Sequence, residues 1–156
     1  MSVRRLFGPV TLAALSGALL LSALAAPAQA DPVAQVEERK ANFKKMGGAM
    51  KTLATFVKGE GGTAADAQAA AAVLEQTGSQ IGTWWPEGTA VGVGKSEAKP
   101  EIWTNMAEFT TLQDQFKAAV PALVQAAATG EPARMVPSLQ AVGASCKACH
   151  DKYKAD

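Results

Sequence analysis

Residues 33–58, VAQVEERKANFKKMGGAMKTLATFVK, decide the fold. Val36, Phe43, Met50 and Val57 recur every seven residues, and Arg39, Met46 and Leu53 stand three residues after the first three of them. Side chains three, four and seven apart share one face of an α-helix, so the spacing predicts a core-facing helical stripe from Val33 to Lys58. One station breaks the pattern: Arg39 puts a cation where an apolar side chain belongs. Gly59, Gly61 and Gly62 then end the helix.

Outward from this segment the same period returns three times. Thr63 with Asp66 three residues later marks the start of a second helix, alanine-rich from Ala64 to Ala72 and ending near Ile81-Gly82. A third stripe follows Pro100, with Ile102, Phe109, Phe116 and Leu123 at sevens and Met106 and Val120 between. Pro121 is expected to kink or break its last turns. The fourth stripe carries Leu139, Cys146 and Tyr153, with Met135, Val142 and Cys149 between. Its helix begins at Pro132 or Pro137, either of which suits a first helical position. No stretch combines period-two alternation with β-branched residues, so strands are not expected. The fold class is therefore all-α, an antiparallel four-helix bundle with short first and third connections. The second connection, Gly82 to Lys99, holds Trp84, Trp85 and Pro86, and its length marks it as functional or as a crossover of the bundle end.

Fifteen basic residues face fourteen acidic ones in 156, and hydrophobic residues make up 48%. That balance argues against a nucleic-acid surface and against disorder. Residues 1–30 differ from the rest: Arg4 and Arg5, an uncharged run from Leu6 to Leu24, and Ala28-Gln29-Ala30 before Asp31. This is the layout of a cleaved secretory signal peptide, faintly of the twin-arginine kind; the alternative is a membrane anchor, but no stop-transfer charges follow. Residues 31–156 then make one exported domain, expected in the periplasm, and losing two arginines turns a net charge of +1 into −1.

Cys146-Lys147-Ala148-Cys149-His150 holds both cysteines and the only histidine of the chain. It is the C-x-x-C-H signature of c-type haem attachment: thiols three apart share a helix face and reach two vinyl groups, and the adjacent imidazole turns to the iron. Both cysteines lie on the core stripe, so the haem is expected to insert into the bundle. A thioredoxin-like pair needs a βαβ context that is missing here. A zinc site lacks a fourth ligand, and a disulfide leaves the histidine unexplained. One haem c, bound through Cys146 and Cys149 with His150 as iron ligand, uses the whole set. All four methionines after the signal, Met46, Met50, Met106 and Met135, precede the motif, opposite to the small electron carriers that place it early.

The chain resembles the cytochrome c′ family over essentially all of residues 31–156. The resemblance rests on Glu38-Arg39 through Phe43-Lys44, Gly47-Gly48, Trp85-Pro86-Glu87-Gly88, Ser96 through Trp103 (SEAKPEIW) and the C-terminal CKACHDKY. It implies that Arg39 meets a haem propionate and that Phe43 covers the open face of the iron. A buried arginine needs an anion, although a snorkelling arginine or a core phenylalanine would read alike. It also implies that Ser96 and Glu97 approach the haem and that Trp103 is a buried aromatic. Phenylalanine cannot ligate iron, so the resemblance implies a five-coordinate, high-spin site in an apolar pocket that binds nitric oxide and carbon monoxide. Met46, one turn from Phe43, is the residue that would instead make a low-spin electron carrier. The family's usual arginine four residues after the histidine is Lys154 here, which keeps the charge and loses the planar fork. Gly47 and Gly48 inside a helix cost about 1 kcal/mol each and point to close backbone approach. A homodimer and an unspecified redox partner are expected, and no enzymatic turnover: there is no second histidine, and residues 39–50 hold no carboxylate.

Overall fold

The computed structural model describes residues 31–155, so the signal-peptide reading of residues 1–30 lies outside the described residues. Five α-helices occur among them: α1 (Pro32–Val57), α2 (Ala64–Gly78), a one-turn α3 (Glu101–Thr104), α4 (Met106–Ala128) and α5 (Pro132–Tyr153). The Asp31 carboxylate accepts from the Val33 amide to start α1. At the far end Gly59, Gly61 and Gly62 take positive φ, which lets the chain reverse at once into α2. There Thr63 and Asp66 form a reciprocal capping box.

α1 packs on α2 and α5, and α4 packs on α2 and α5, so the four long helices close a square. The start of α1, the end of α2, the start of α4 and the end of α5 meet at one end. Arg39 bonds the loop after α2 there, and Trp85, Phe109 and Tyr153 stack edge to face in sequence. At the other end Gly130 lies against Ala64. The topology is thus up-down-up-down, with neighbours antiparallel, as the heptads predict. Among the described residues the one β-bridge is antiparallel, Ala98 to Lys154.

Three boundaries differ from the sequence reading. α2 ends at Gly78, where the Phe116 ring packs so closely that a Cβ would collide with it; a 3-10 turn, Ile81–Thr83, carries Ile81 into the core instead. The third stripe is split at Asn105, whose φ −121° and ψ 38° leave the helical region. The split swings Met106 outward to 37% exposure, while Ile102 and Phe109 stay buried beside Tyr153. Pro121 does not end α4, which runs on to Ala128. The proline is exposed, and Val120 and Leu123 on the buried face hold the helix past the one missing hydrogen bond. α5 starts at Pro132, with Pro137 inside it.

Candidate functional site

The bundle encloses a cavity of about 480 Å³ between α1, α4 and α5, open where the long loop crosses the end. Cys146, Cys149 and His150 line it from α5, Arg39, Phe43, Met46 and Gly47 from α1, and Glu97 from the loop. Both cysteines are half-buried, and His150 stands at the mouth, exposed on one side. Its imidazole is held below its usual pKa by partial burial and by nearby Lys154. Burial also raises both thiols, Cys149 to about 11, the neighbouring Cys146 adding to the effect. The Phe43 ring lies across the cavity from the His150 ring, their centroids 6.4 Å apart.

Arg39 is 4% exposed and fully engaged with the crossover loop. One terminal nitrogen donates to the Trp84 carbonyl (3.2 Å) and Thr89 Oγ1 (2.9 Å), the other to the Thr89 carbonyl (2.7 Å) and Ser96 Oγ (2.9 Å). The guanidinium also lies 4.8 Å from the centre of the Trp85 ring. Burial lowers its pKa, and among the described residues no carboxylate pairs with it. A buried cation with only neutral acceptors leaves a charge to be matched by an anion entering the cavity.

The remaining expected residues are placed as follows. Ser96 does not line the cavity: its hydroxyl accepts from Arg39 and the Ala98 amide and donates to the Thr89 carbonyl. Trp103 is also one layer out, its indole donating to the Trp85 carbonyl at 3.2 Å. Glu97 pairs with Lys154 at 3.5 Å, which draws the lysine toward the loop. Gly47 and Gly48 face no protein atom within 4 Å of a Cβ, so the expected close backbone approach is absent; Gly47 leaves its space to the cavity.

Two buried polar groups escaped the sequence reading. Thr89, completely buried, is the hub of the Arg39 contacts, and nothing in a glycine-rich loop distinguishes it. Gln113 is 4% exposed, lines the cavity, and has a side-chain nitrogen with no hydrogen-bond partner. A signal for it did exist: it stands four residues after Phe109 and three before Phe116, a polar residue on the core stripe. The cavity is therefore not uniformly apolar.

A closed bundle with a mostly apolar cavity, two thiols one turn apart at its wall, a histidine at its mouth and an uncompensated buried cation fits a flat, largely apolar group bearing carboxylates. Among the described residues no group of three or more His, Cys, Asp and Glu converges to hold a bare metal ion, which disfavours zinc. The class is that of helical-bundle proteins with haem c attached to the last helix. Residues 34–154 match the family model described as Cytochrome C′, and the chain belongs to that family. It is 39% identical to the cytochrome c′ of Pararhodospirillum photometricum over 129 residues, 80% of this chain and 99% of that one. A solved cytochrome c′, described as having an unusual ligand-controlled dimer dissociation, superposes with a TM-score of 0.75 at 36% identity, over 81% of this chain and 98% of that one. A ferrous variant of the Alcaligenes xylosoxidans protein with nitric oxide bound gives 0.72 at 32% identity, over 81% and 98%; another variant of it carries carbon monoxide. The family is itself a known instance of the up-down-up-down bundle. The chain carries one haem c, attached through Cys146 and Cys149.

Proposed function

We propose that this chain is a periplasmic haem protein that binds nitric oxide and carbon monoxide at an iron held by His150 alone. One observation carries the reading: the side chain facing His150 across the cavity is Phe43, which has no atom able to ligate. The haem, once attached, supplies an iron with one position left for a small gas. Cys146 and Cys149 fix the group in the bundle, and His150, with its pKa lowered, presents a neutral imidazole to the metal. Arg39 supplies the buried positive charge for a propionate while its four donor contacts hold the loop. Phe43, pinned 5.3 Å from Trp84 and 6.0 Å from Trp85, screens the open face and admits only narrow ligands.

The gas complexes of the related Alcaligenes protein support the choice of ligand. Export rests on residues 1–30, and among the described residues no helix is long and apolar enough to cross a membrane. The domain acts by binding: with His150 given to the iron, the chain has no second histidine to serve as an acid–base group over it. A homodimer follows by analogy with the related structure whose dimer is ligand-controlled.

Absorption spectra of the purified holoprotein test the reading. A high-spin spectrum that shifts on adding nitric oxide or carbon monoxide is expected. A low-spin spectrum indifferent to carbon monoxide would instead assign the sixth position to Met46, which lines the same cavity, and make the protein an electron carrier.

A further inference from the structure

Charge is sorted along the chain by segment. Between Glu38 and Gly59 there are basic side chains and no carboxylate, whereas Glu60, Asp66, Glu75 and Glu87 stand between Gly59 and Gly94 without any cation. α5 repeats the first pattern: Arg134 and Lys147, and no acidic residue between Glu131 and Asp151. The two helices that carry Phe43 and His150 are therefore cationic over most of their length, although residues 31–156 sum to −1.

On α1 the cations are also aligned. Lys40, Lys44, Lys51 and Lys58 follow one another at four, seven and seven residues, and Gly47 falls on the same stripe. Lys40 and Gly47 line the cavity together with Cys146, Cys149 and His150 of α5, so Lys44 and Lys51 border its rim one turn to either side of Gly47. Lys44, Lys51 and Lys58 are exposed and form no ion pair among the described residues. Lys40 reaches only Glu37, at 3.9 Å, and Lys147 pairs with Asp151 at 2.5 Å. Like charges four apart weaken a helix, and Lys40 and Lys44 lie too far from the C-terminus of α1 to gain from its dipole. The row is thus of no use to the fold.

We propose that this rim is the docking face for an electron-transfer protein with a carboxylate-rich surface, which delivers electrons to the haem tethered at Cys146 and Cys149. One electron passes from the reduced partner to the ferric iron, which becomes ferrous; no bond forms or breaks. Opposed rows of charge steer the encounter and fix its orientation, and the exposed His150 marks the mouth through which the partner comes closest to the haem. A membrane surface fits the row less well, because it has no exposed large apolar side chain to insert between Lys40 and Lys58. The inference needs the attached haem and not the gas-site reading.

Stopped-flow oxidation of the ferrous holoprotein by two small reagents, anionic hexacyanoferrate(III) and cationic tris(phenanthroline)cobalt(III), tests the local charge. A net negative domain repels the anion, so its rate would rise with added salt; the lysine rim predicts that the rate falls. Lys44→Glu and Lys51→Glu should each slow the anion about threefold at low salt and speed the cation. Lys117→Glu makes the same charge change on α4, diagonal to α1 in the bundle, and should leave both rates unchanged. Reduction of the ferric holoprotein by reduced flavodoxin, an acidic protein, is expected to follow the same order. Equal slowing by all three substitutions overturns the face, since net charge alone then governs the rate. A flavodoxin rate indifferent to salt and to Lys44→Glu overturns it as well. Two further results also overturn it by naming another occupant. Lysine-dependent binding to phosphatidylglycerol vesicles with unchanged flavodoxin rates assigns the row to a membrane. Sedimentation showing self-association at low salt that Lys44→Glu abolishes assigns it to a second copy of the chain.

Discussion

Arg39 occupies a heptad station between Val36 and Phe43, and its four hydrogen bonds end on a loop some fifty residues further along the chain. Replacing it by methionine leaves two carbonyls and two hydroxyls of that loop short of donors in a dry environment. Arg39→Met is expected to lower unfolding free energy by about 3 kcal/mol, read by chemical denaturation of the holoprotein. Arg39→Lys should recover less than half of that loss, because one ammonium cannot span Thr89, Ser96 and Trp84 as a planar fork does. A cost below about 1 kcal/mol for Arg39→Met would mean that the loop is held by other contacts. The lid role proposed for Phe43 is kinetic: Phe43→Ala would open the face opposite His150 and should speed carbon monoxide association by about an order of magnitude in flash photolysis. An unchanged rate would remove Phe43 as the lid.

Among the elements, α2 depends most on its ends, since its middle is largely alanine. The capping box satisfies two amides at its start, so Thr63→Ala should cost about 1 kcal/mol in thermal or chemical unfolding. The same contacts, the Thr63 hydroxyl first and its amide second, hold the Asp66 carboxyl below its usual pKa. A carboxyl whose pKa is depressed by folding contributes stability above its unfolded value and loses it as pH falls through the folded one. Acid unfolding between about pH 4 and lower should therefore flatten in Asp66→Asn, measured as the pH dependence of the melting temperature. At the other end, Gly78→Ala drives a Cβ into the Phe116 ring where α2 meets α4. A loss of about 1–3 kcal/mol is expected, and Phe116→Leu in the same chain should restore part of it. Between α4 and α5 the tie is polar: Tyr153 donates to Glu108 at 3.0 Å and Lys152 pairs with the same carboxylate, which holds it below the usual pKa.

For the whole molecule, a haem seated in the cavity would become part of the core. Met46, Leu74, Ile81 and Phe116 belong to the main apolar cluster and also line the cavity, so without the haem that cluster has a hole at its centre. A chain carrying Cys146→Ala and Cys149→Ala, and purified without haem, should melt about 10 °C or more below the holoprotein in circular dichroism. Equal melting temperatures would show that the bundle closes without its cofactor. The loop adds a second tie at the open end: Ala98 pairs with Lys154, the Lys99 amide donates to the Tyr153 carbonyl at 2.9 Å, and Ala155 donates to Glu97 at 2.8 Å. The chain segment that crosses the bundle end is thus fastened both to α1, by Arg39, and to the end of the haem-bearing helix.

The helical faces were legible in the residues alone, because heptad spacing reports directly which side of each helix is buried; Val36, Leu53, Phe109, Leu123 and Val142 are all fully buried as their positions predict. The attachment motif was equally legible, since its chemistry needs only residues adjacent in the chain. What no spacing could supply were contacts between distant segments. Arg39 stood out as a charge on a core stripe, but its partners Thr89, Ser96 and the Trp84 carbonyl came into reach only when the loop folded across the bundle end. Gln113 was visible as a polar residue on a core face, yet its unpaired nitrogen is a property of the cavity and not of α4. The helix ends moved for the same reason: Phe116 sets the end of α2 and buried neighbours carry α4 through Pro121, interactions that act across the bundle. Local periodicity and short-range chemistry determined the bundle and the haem attachment; the tertiary structure alone decided which polar groups face the cavity, because burial and hydrogen-bond pairing depend on what other segments bring to the same place.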